Sequence, residues 1–313
     1  MNKLRKQRSI CLLHLIIFWF VIELIFNLIT KKKSFKRYYA GIITVVFTFV
    51  YLCVGWYQAH HIWQKDYTIK TDKKVGNIKV ALLSDSYVGT TFHGEGFAER
   101  MKEIEKQNPD VILVAGDFVD EDTTKEDMIS CCKTLGSAKT KYGVYYVFGN
   151  HDKGYYPDSY RGYGEADLVK ELKDNNVKVL QDENVLIDNR FCIIGRQDRS
   201  EEVEKNKGRA TMSELTSSLD DSKFSIVMNN QPCDYANQAK SGVDLVVSGH
   251  THGGQLFPLM NIENLTGLGD DRVYGYEKRD NTNFIVTSGI SDWEIKFKTG
   301  CKSEYVIVNI QGK

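Results

Sequence analysis

Seven candidate ligand or catalytic residues follow five of the apolar runs of the chain. They are Asp85, Asp117, Asn150, His151, Asn230, His250 and His252. Carboxylate and amide oxygens with imidazole nitrogens, and no thiolate, suit a hard or borderline divalent cation. One such residue would be an ordinary turn or helix cap. Their repetition after five runs indicates a metal site instead.

The apolar runs are predicted to be buried strands, because each is short and rich in Val and Ile. The stretches between them have helical periodicity, so the alternation predicts an α/β fold. The predicted strands cover residues 80–84, 111–116, 144–149, 191–195, 224–229, 244–249, 284–289 and 305–310, and the predicted helices cover 96–107, 125–138, 165–174 and 211–219. Ligands of such sheets bind beyond the carboxyl ends of the strands. We therefore expect the polar residues to meet there.

Five short motifs carry the candidate residues: SDSYVG (84–89), GDFVD (116–120), GNHD (149–152), NNQP (229–232) and SGHTHGGQ (248–255). In order and spacing they resemble the calcineurin-like metallophosphoesterases. The stretch GWYQAHHI before them is similar to the membrane-anchored bacterial branch of that family. The resemblance implies an αββα sandwich, in which two mixed β-sheets are flanked by helices. It also implies hydrolysis of a phosphomonoester or phosphodiester.

The resemblance further implies two metal ions (Mn, Fe or Zn), with no other cofactor-binding residue. By position, Asp85 and His252 would hold one ion, Asn150 and His250 the other, and Asp117 would bridge them. His151 would bind the phosphoryl group and protonate the leaving oxygen. Two ions about 3.5–4 Å apart can clamp the oxygens of an in-line displacement.

Two positions depart from the family pattern. Tyr87 and Asn230 stand where the family has histidines, so both are doubtful metal ligands. Three hypotheses remain open: both residues still ligate, as phenolate and amide oxygen; water replaces the imidazoles and metal affinity falls; or catalysis has been lost. His93 is the one other histidine of the body, and we expect it to be a loop residue rather than a substitute ligand.

Two apolar runs precede the body, at residues 9–30 and 39–57. At 1.5 Å per residue each could cross a bilayer. A cleaved signal peptide is the alternative for the first run, but no small-residue cleavage site follows it. We expect a transmembrane hairpin anchor over residues 1–63, a polar linker over 64–77 and the phosphoesterase domain over 78–313.

Charge is divided unevenly along the chain. Basic and acidic residues number 41 each, yet nine of the basic ones lie in the first 63 residues beside a single acid, Glu23. The acidic body argues against a nucleic-acid partner. The basic cluster at 31–37, together with the resemblance to anchored relatives, predicts a two-pass cell-membrane protein with its body outside the cytoplasm.

The sequence therefore predicts a membrane-anchored, metal-dependent phosphoesterase. The anchor makes a lipid headgroup or another envelope phosphate an attractive substrate. The alternative, motivated by Tyr87 and Asn230, is a catalytically impaired pseudo-phosphoesterase that acts as a membrane-attached binding or scaffolding module.

Overall fold

The computed structural model describes residues 3–29, 37–257 and 270–313, which form twelve strands and eight helices. The strands are Ile62–Lys70 (β1), Asn77–Leu83 (β2), Val111–Ala115 (β3), Val144–Val147 (β4), Lys178–Val179 (β5), Glu183–Ile187 (β6), Phe191–Gly195 (β7), Phe224–Met228 (β8), Leu245–Ser248 (β9), Gly275–Arg279 (β10), Thr282–Val286 (β11) and Ser303–Gln311 (β12). The helices are Lys3–Ile29 (α1), Arg37–His60 (α2), Gly94–Glu105 (α3), Lys125–Gly136 (α4), Glu165–Asp174 (α5), Arg199–Val203 (α6), Met212–Thr216 (α7) and Tyr235–Lys240 (α8). Every strand and helix predicted for the body is present, with small shifts at the ends.

The strands form two six-stranded mixed sheets. The first has the order β1-β12-β2-β3-β4-β5 and the second β10-β11-β9-β8-β7-β6. Strands β2 to β5 run parallel, as do β7, β8, β9 and β11. The carboxyl ends of four neighbouring strands therefore share one edge in each sheet, which is where loops can converge.

Three apolar layers hold the sheets and helices together. The inner faces of both sheets share one core, with Leu82 and Leu113 from the first sheet and Ile226 and Ile285 from the second. Helices α3 to α5 cover the outer face of the first sheet, and α7 and α8 cover that of the second. This is the predicted αββα sandwich.

The first half of the segment predicted to be a linker, residues 64–70, forms a strand. Residues 62–70 form β1, which pairs in parallel with β12 over nine consecutive residues. Most of β1 stays accessible, because it lies at the edge of the sheet. Its largely polar composition is therefore also typical of a linker. The body of the protein begins two residues after α2 ends.

The first two helices pack against each other and are otherwise largely exposed. The ring of Phe18 in α1 lies 5.0 Å from that of Phe47 and 4.9 Å from that of Tyr51 in α2. The windows Gln7–Ile29 and Tyr39–His60 are long and apolar enough to cross a membrane, and only 6% and 22% of each is buried. A core helix of a soluble domain would be mostly buried. The basic segment predicted between them lies, apart from Arg37, outside the described residues.

Candidate metal centre

Four of the predicted ligands lie together where strands of the two sheets end. Asp85 and Asp117 follow β2 and β3, and His250 and His252 follow β9. The backbone N–H of His250 donates to Asp85 Oδ1 at 3.0 Å. His250 Nδ1 lies 3.5 Å from Asp117 Oδ2, and His252 Nε2 lies 3.8 Å from Asp85 Oδ1. The two sheets thus bring two carboxylates and two imidazoles to one place.

The backbone of this cluster is strained. Asp85, Tyr87, Asp117, His250 and His252 all have left-handed conformations, with φ of 53°, 36°, 52°, 71° and 51°. Such a conformation costs roughly 1–2 kcal/mol for a residue with a Cβ. Strain of this kind concentrates at functional sites, where the surrounding structure holds it in place.

A glycine lets two of the loops approach closely. Gly116, just before Asp117, has a φ of 81°. A Cβ there would collide with the backbone of Gly149 and with the amide of Asn230. The loops that carry Asp117, Asn150 and Asn230 can therefore meet only because this position has no side chain.

The two carboxylates are fully buried and perturb each other. Burial, with the charge of Asp117 second, raises the pKa of Asp85 to about 7. Burial alone would also raise the pKa of Asp117, but hydrogen bonding to His250 and the charge of His151 hold it below its usual value. Adjacent buried carboxylates are unfavourable without a compensating cation. The pair therefore fits a bound metal ion.

The two histidines of the GHTH motif differ in their surroundings. The side chain of His252 is 5% exposed, and burial and the charge of Lys298 hold its pKa well below the usual value. The side chain of His250 is 27% exposed. Its burial lowers the pKa, but the neighbouring Asp117 carboxylate outweighs this effect and raises it to about 9. His252 is therefore held as the neutral imidazole that metals bind, whereas a cation would have to replace the proton of His250.

Two amides complete the candidate ligand set. Asn150 Nδ2 donates to Tyr155 Oη at 2.7 Å, and Asn230 Nδ2 donates to the Ala115 carbonyl at 2.7 Å. The Oδ1 atoms of both amides are buried and have no hydrogen-bond partner among the residues that the structure describes. Buried acceptors are normally satisfied, so both oxygens are suited to bind a cation.

Metal binding depends on these amides. Among the described residues, no three His, Cys, Asp or Glu side chains form a group that could hold a metal ion by themselves. Two carboxylates, two imidazoles and two amide oxygens together suit a borderline divalent cation. The residues present therefore fit the implied metal, provided that the amides take part.

His151 lies beside the cluster with one ring nitrogen already engaged. Its Nδ1 donates to Glu121 Oε2 at 3.4 Å, and its backbone N–H donates to Asp117 Oδ1 at 3.1 Å. Burial alone would lower the pKa of His151, but Glu121 and Asp117 outweigh it and the pKa is raised. The ring lies 5.2 Å from that of Tyr155 and 5.8 Å from that of Trp293. Because Nδ1 is engaged by Glu121, Nε2 is the ring nitrogen of His151 that could contact a substrate.

Tyr87 is buried inside the cluster rather than at its rim. Its ring lies 5.1 Å from that of His252 and 5.3 Å from that of His151. Burial first, and then the charges of Asp117 and Asp85, raise the pKa of Tyr87 well above its ordinary value. The hydroxyl therefore stays protonated beside the predicted bridging carboxylate.

Glu121 and Lys298, near the cluster, were not identified from the sequence, and Asp152 was noted only as a member of the GNHD motif. Glu121 orients His151 and directly follows the GDFVD motif, so its position beside the motif was the available signal. Asp152 accepts hydrogen bonds from the backbone N–H groups of Asp117, Phe118, Val119 and Gly149, and so ties two motifs together. Lys298 is fully buried, with Nζ 2.6 Å from the Ser288 carbonyl. A lysine in a loop gives no sequence signal of burial.

His93 lies outside the cluster, as predicted. It precedes α3, and its exposed ring pairs with Asp127 at 2.8 Å. No described contact links it to the predicted ligands. It is therefore not a substitute for the missing histidines.

Comparison with known proteins gives the following similarities. Residues 78–254 match the family model described as calcineurin-like phosphoesterase. An uncharacterised metallophosphoesterase of Campylobacter jejuni is 27% identical over 315 residues, covering 97% of this chain and 79% of that protein. A transmembrane protein with a metallophosphoesterase domain from Danio rerio is 28% identical over 253 residues, covering 77% of this chain but 54% of that protein.

Among solved structures, a dimetal phosphatase of Danio rerio superposes with a TM-score of 0.45 at 11% identity, over 68% of this chain and 87% of that one. This chain spans 64% of the length of the two similar Helicobacter pylori metallophosphoesterases.

Proposed function

Because the chain belongs to the calcineurin-like phosphoesterase family, we propose that it hydrolyses a phosphomonoester or phosphodiester at a centre of two metal ions. The observation that carries the proposal is the cluster of two buried carboxylates and two imidazoles on left-handed backbone, together with two buried amide oxygens that have no hydrogen-bond partner within the described part of the chain. Strained, desolvated and charge-coupled groups of this kind are costly to fold and are typical of active sites.

The proposed ligands divide between the two ions. Asp85 and His252 would hold one, Asn150 and His250 the other, and Asp117 would bridge them, with Tyr87 and Asn230 as doubtful ligands. When bound, the ions would polarise the phosphoryl group and activate water. The metal is proposed to be Mn, Fe or Zn. The protein contributes a buried, low-dielectric setting in which these charges act strongly.

His151 is proposed to be the acid. Glu121 accepts a hydrogen bond from Nδ1 of His151 and thereby fixes the orientation of the ring. A proton on Nε2 would then be available for the leaving oxygen of the ester. The neighbouring Glu121 and Asp117 carboxylates raise the pKa of His151 and so favour the protonated ring.

The membrane context is also part of the proposal. The two exposed apolar helices support a two-pass anchor within residues 1–63. The phosphoesterase domain begins at residue 78 by the family match, although β1 adds residues 62–70 to its first sheet. We place this domain outside the cytoplasm. Protease added to intact spheroplasts should then remove the domain, and survival of the domain until the membrane is breached would reverse the orientation.

The activity is tested with the full chain in detergent, loaded with Mn²⁺ and given aryl phosphate monoesters and diesters. We expect turnover that His151→Ala abolishes. His93→Ala is the matched control, since His93 is exposed and pairs outside the cluster. Absence of turnover with any divalent metal, while circular dichroism shows a folded protein, would contradict the proposal.

One observation favours the second candidate, a binding or scaffolding module. Asp117 accepts hydrogen bonds from Asn230 Nδ2, at 3.3 Å, and from the backbone N–H of His151, at 3.1 Å. These donors partly satisfy the carboxylate without any cation. Metal analysis separates the candidates: two tightly bound ions per chain support the enzyme, whereas substoichiometric metal without turnover supports the module.

A further inference from the structure

Helix α2 does not end in open solvent but packs along loops that border the candidate metal centre. Tyr51 Oη donates to the Phe257 carbonyl at 2.7 Å. The backbone N–H of Lys298 donates to the Gly55 carbonyl at 3.0 Å, and Ser303 Oγ donates to the Ala59 carbonyl at 3.0 Å. Residues four apart lie on one face of a helix. The loops therefore cover one face of α2 over its last turns.

This packing is close. A Cβ on Gly55 would lie 2.6 Å from Thr299 Cγ2, so the loop touches the helix backbone where α2 has no side chain. Phe257 and Thr299 are also joined, because the backbone N–H of Phe257 donates to Thr299 Oγ1 at 3.1 Å. The two loops form one surface, which we call the α2-facing loops (residues 253–257 and 293–303).

The sequence of the helices marks the height of the bilayer surface. Aromatic residues cluster at the end of α2 and just beyond it: Trp56, Tyr57 and Trp63. Such rings prefer the headgroup layer. The antiparallel α1 gives a second marker. Its His14 ring lies 5.7 Å from that of Tyr51, and the exposed, charged Arg8 is six residues closer to the N-terminal end of α1, which lies beside the C-terminal end of α2. Both markers place the membrane surface near the last turn of α2.

Tyr51 lies five residues inside Trp56, which is roughly 7.5 Å along the helix axis. The apolar window Tyr39–His60 has 22 residues, or roughly 33 Å of helix, against a hydrocarbon core of about 30 Å. If α2 left the bilayer before Tyr51, roughly 18 Å of helix would remain, too short to cross. Because they contact Tyr51, the α2-facing loops must therefore reach at least into the headgroup layer.

The same loops lead directly to the candidate centre. Gln255, three residues after His252, accepts the backbone N–H of Thr299 at 2.8 Å and that of Trp293 at 3.3 Å. The ring of Trp293 in turn lies 5.8 Å from that of His151. Phe257 and Trp293 are 53% and 36% exposed, so apolar surface projects from these loops.

We propose that the α2-facing loops sit in the headgroup layer and that the centre takes phosphoesters carried by lipids of that leaflet. This inference rests on the proposed phosphoesterase function and narrows its substrate class. A lipid needs only to move within its leaflet to bring its phosphate to His151. A soluble phosphoester would have to enter a site whose rim is embedded in the membrane surface.

The depth of the loops is tested without any activity. The full chain carrying Trp19→Phe, Trp56→Phe and Trp63→Phe keeps Trp293 as its one fluorophore of this type. In nanodiscs of phosphatidylcholine brominated near the headgroup end of its acyl chains, we expect strong quenching of Trp293. The control variant carries its single tryptophan at the exposed position 276 instead (Tyr276→Trp with Trp293→Phe). The ring of Tyr276 contacts Tyr67, which lies five residues along β1 from the end of the strand that is nearest the membrane. Quenching of Trp293 no stronger than that of the control would overturn the proposal.

The substrate class is tested with the Mn²⁺-loaded full chain in the same nanodiscs, without bromine. We expect phosphatidate to be hydrolysed at least about tenfold faster than glycerol 3-phosphate, and Phe257→Ser to lower this ratio by about tenfold because the apolar anchor is lost. Tyr276→Ser is the matched control and should leave the ratio unchanged. Equal rates for the two substrates, with aryl phosphate still hydrolysed, would overturn the lipid inference and leave the proposed function standing. Loss of aryl phosphate hydrolysis as well would overturn both.

Discussion

The two halves of the candidate centre are built differently around the shared Asp117. The half with His252 is closed, because the ring is buried against Tyr87 and held neutral beside Lys298. The half with His250 is open, with a quarter of the side chain accessible and its pKa raised to about 9. An ion in the closed half meets a ligand already in its binding form. In the open half, the ion competes with a proton. The two positions should therefore differ in affinity and in their response to pH.

The largest effect is expected at the residue that the halves share. Asp117→Asn removes the carboxylate that offsets both cations, so we expect loss of both ions and a fall in kcat/KM of about 10³-fold or more. Metal content by mass spectrometry, measured with the aryl phosphate rate, checks this. Retention of one ion in Asp117→Asn would show that the two halves bind independently.

The difference between the halves is tested by chemical rescue. His252→Ala and His250→Ala should each lower activity by about 100-fold or more, since loss of a neighbouring support alone costs 10–100-fold. Added imidazole should restore His250→Ala, because that half is accessible, and should fail with His252→Ala. Equal rescue of both variants would contradict the distinction between an open and a closed half.

A smaller effect is expected at Glu121, which supports His151 rather than either half. Glu121→Gln removes the negative partner of Nδ1 and so lowers the pKa of His151 from its raised value. An acid must be protonated to act, and the alkaline limb of the kcat/KM profile should therefore move to lower pH, with a loss of about tenfold at pH 8. An unchanged profile would remove His151 from the role of acid.

The smallest effects are expected at the two doubtful ligands. Tyr87→Phe removes a buried hydroxyl beside Asp117 and should cost only a few-fold in activity, because the loss of one polar contact is worth about 1 kcal/mol. The buried hydroxyl stays protonated, so iron-loaded protein should show no tyrosinate charge-transfer band. A visible band that disappears in Tyr87→Phe would make Tyr87 a ligand after all.

Asn230→His should instead tighten metal binding in the open half by about tenfold.

Sequence patterns predicted an α/β fold and the edge of the sheets where the candidate residues meet, whereas the two-sheet sandwich was predicted from the family resemblance. Short Val- and Ile-rich runs predict buried strands wherever both faces are covered, as in β3 and β8. Such runs do not predict β1, because a strand at the accessible edge of a sheet need not be apolar. Its partner β12 also lies more than 230 residues away in the sequence. Long-range pairing of this kind leaves no local signal.

At the centre, the motifs gave the ligand types but not their environment. The left-handed backbone of five residues and the contrast between His250 and His252 arise from how two sheets meet. No window of sequence contains that information. Likewise, Asp152 is one more acid of a motif in the sequence, whereas in the fold its carboxylate fastens the Asp117 and Asn150 loops to each other.

The position of β12 has a consequence for the order in which the protein is made. This strand lies between β1 and β2, so the two earliest strands of the body have no contact with each other until it arrives. A ribosome synthesises residues 303–311 after all the other described strands of the two sheets. The sheet that joins α2 to the rest of the body is therefore completed long after both apolar helices have been made. Non-local strand pairing of this kind forms slowly, and a variant that lacks residues 303–311 would keep its first two helices while its first sheet fell into two parts.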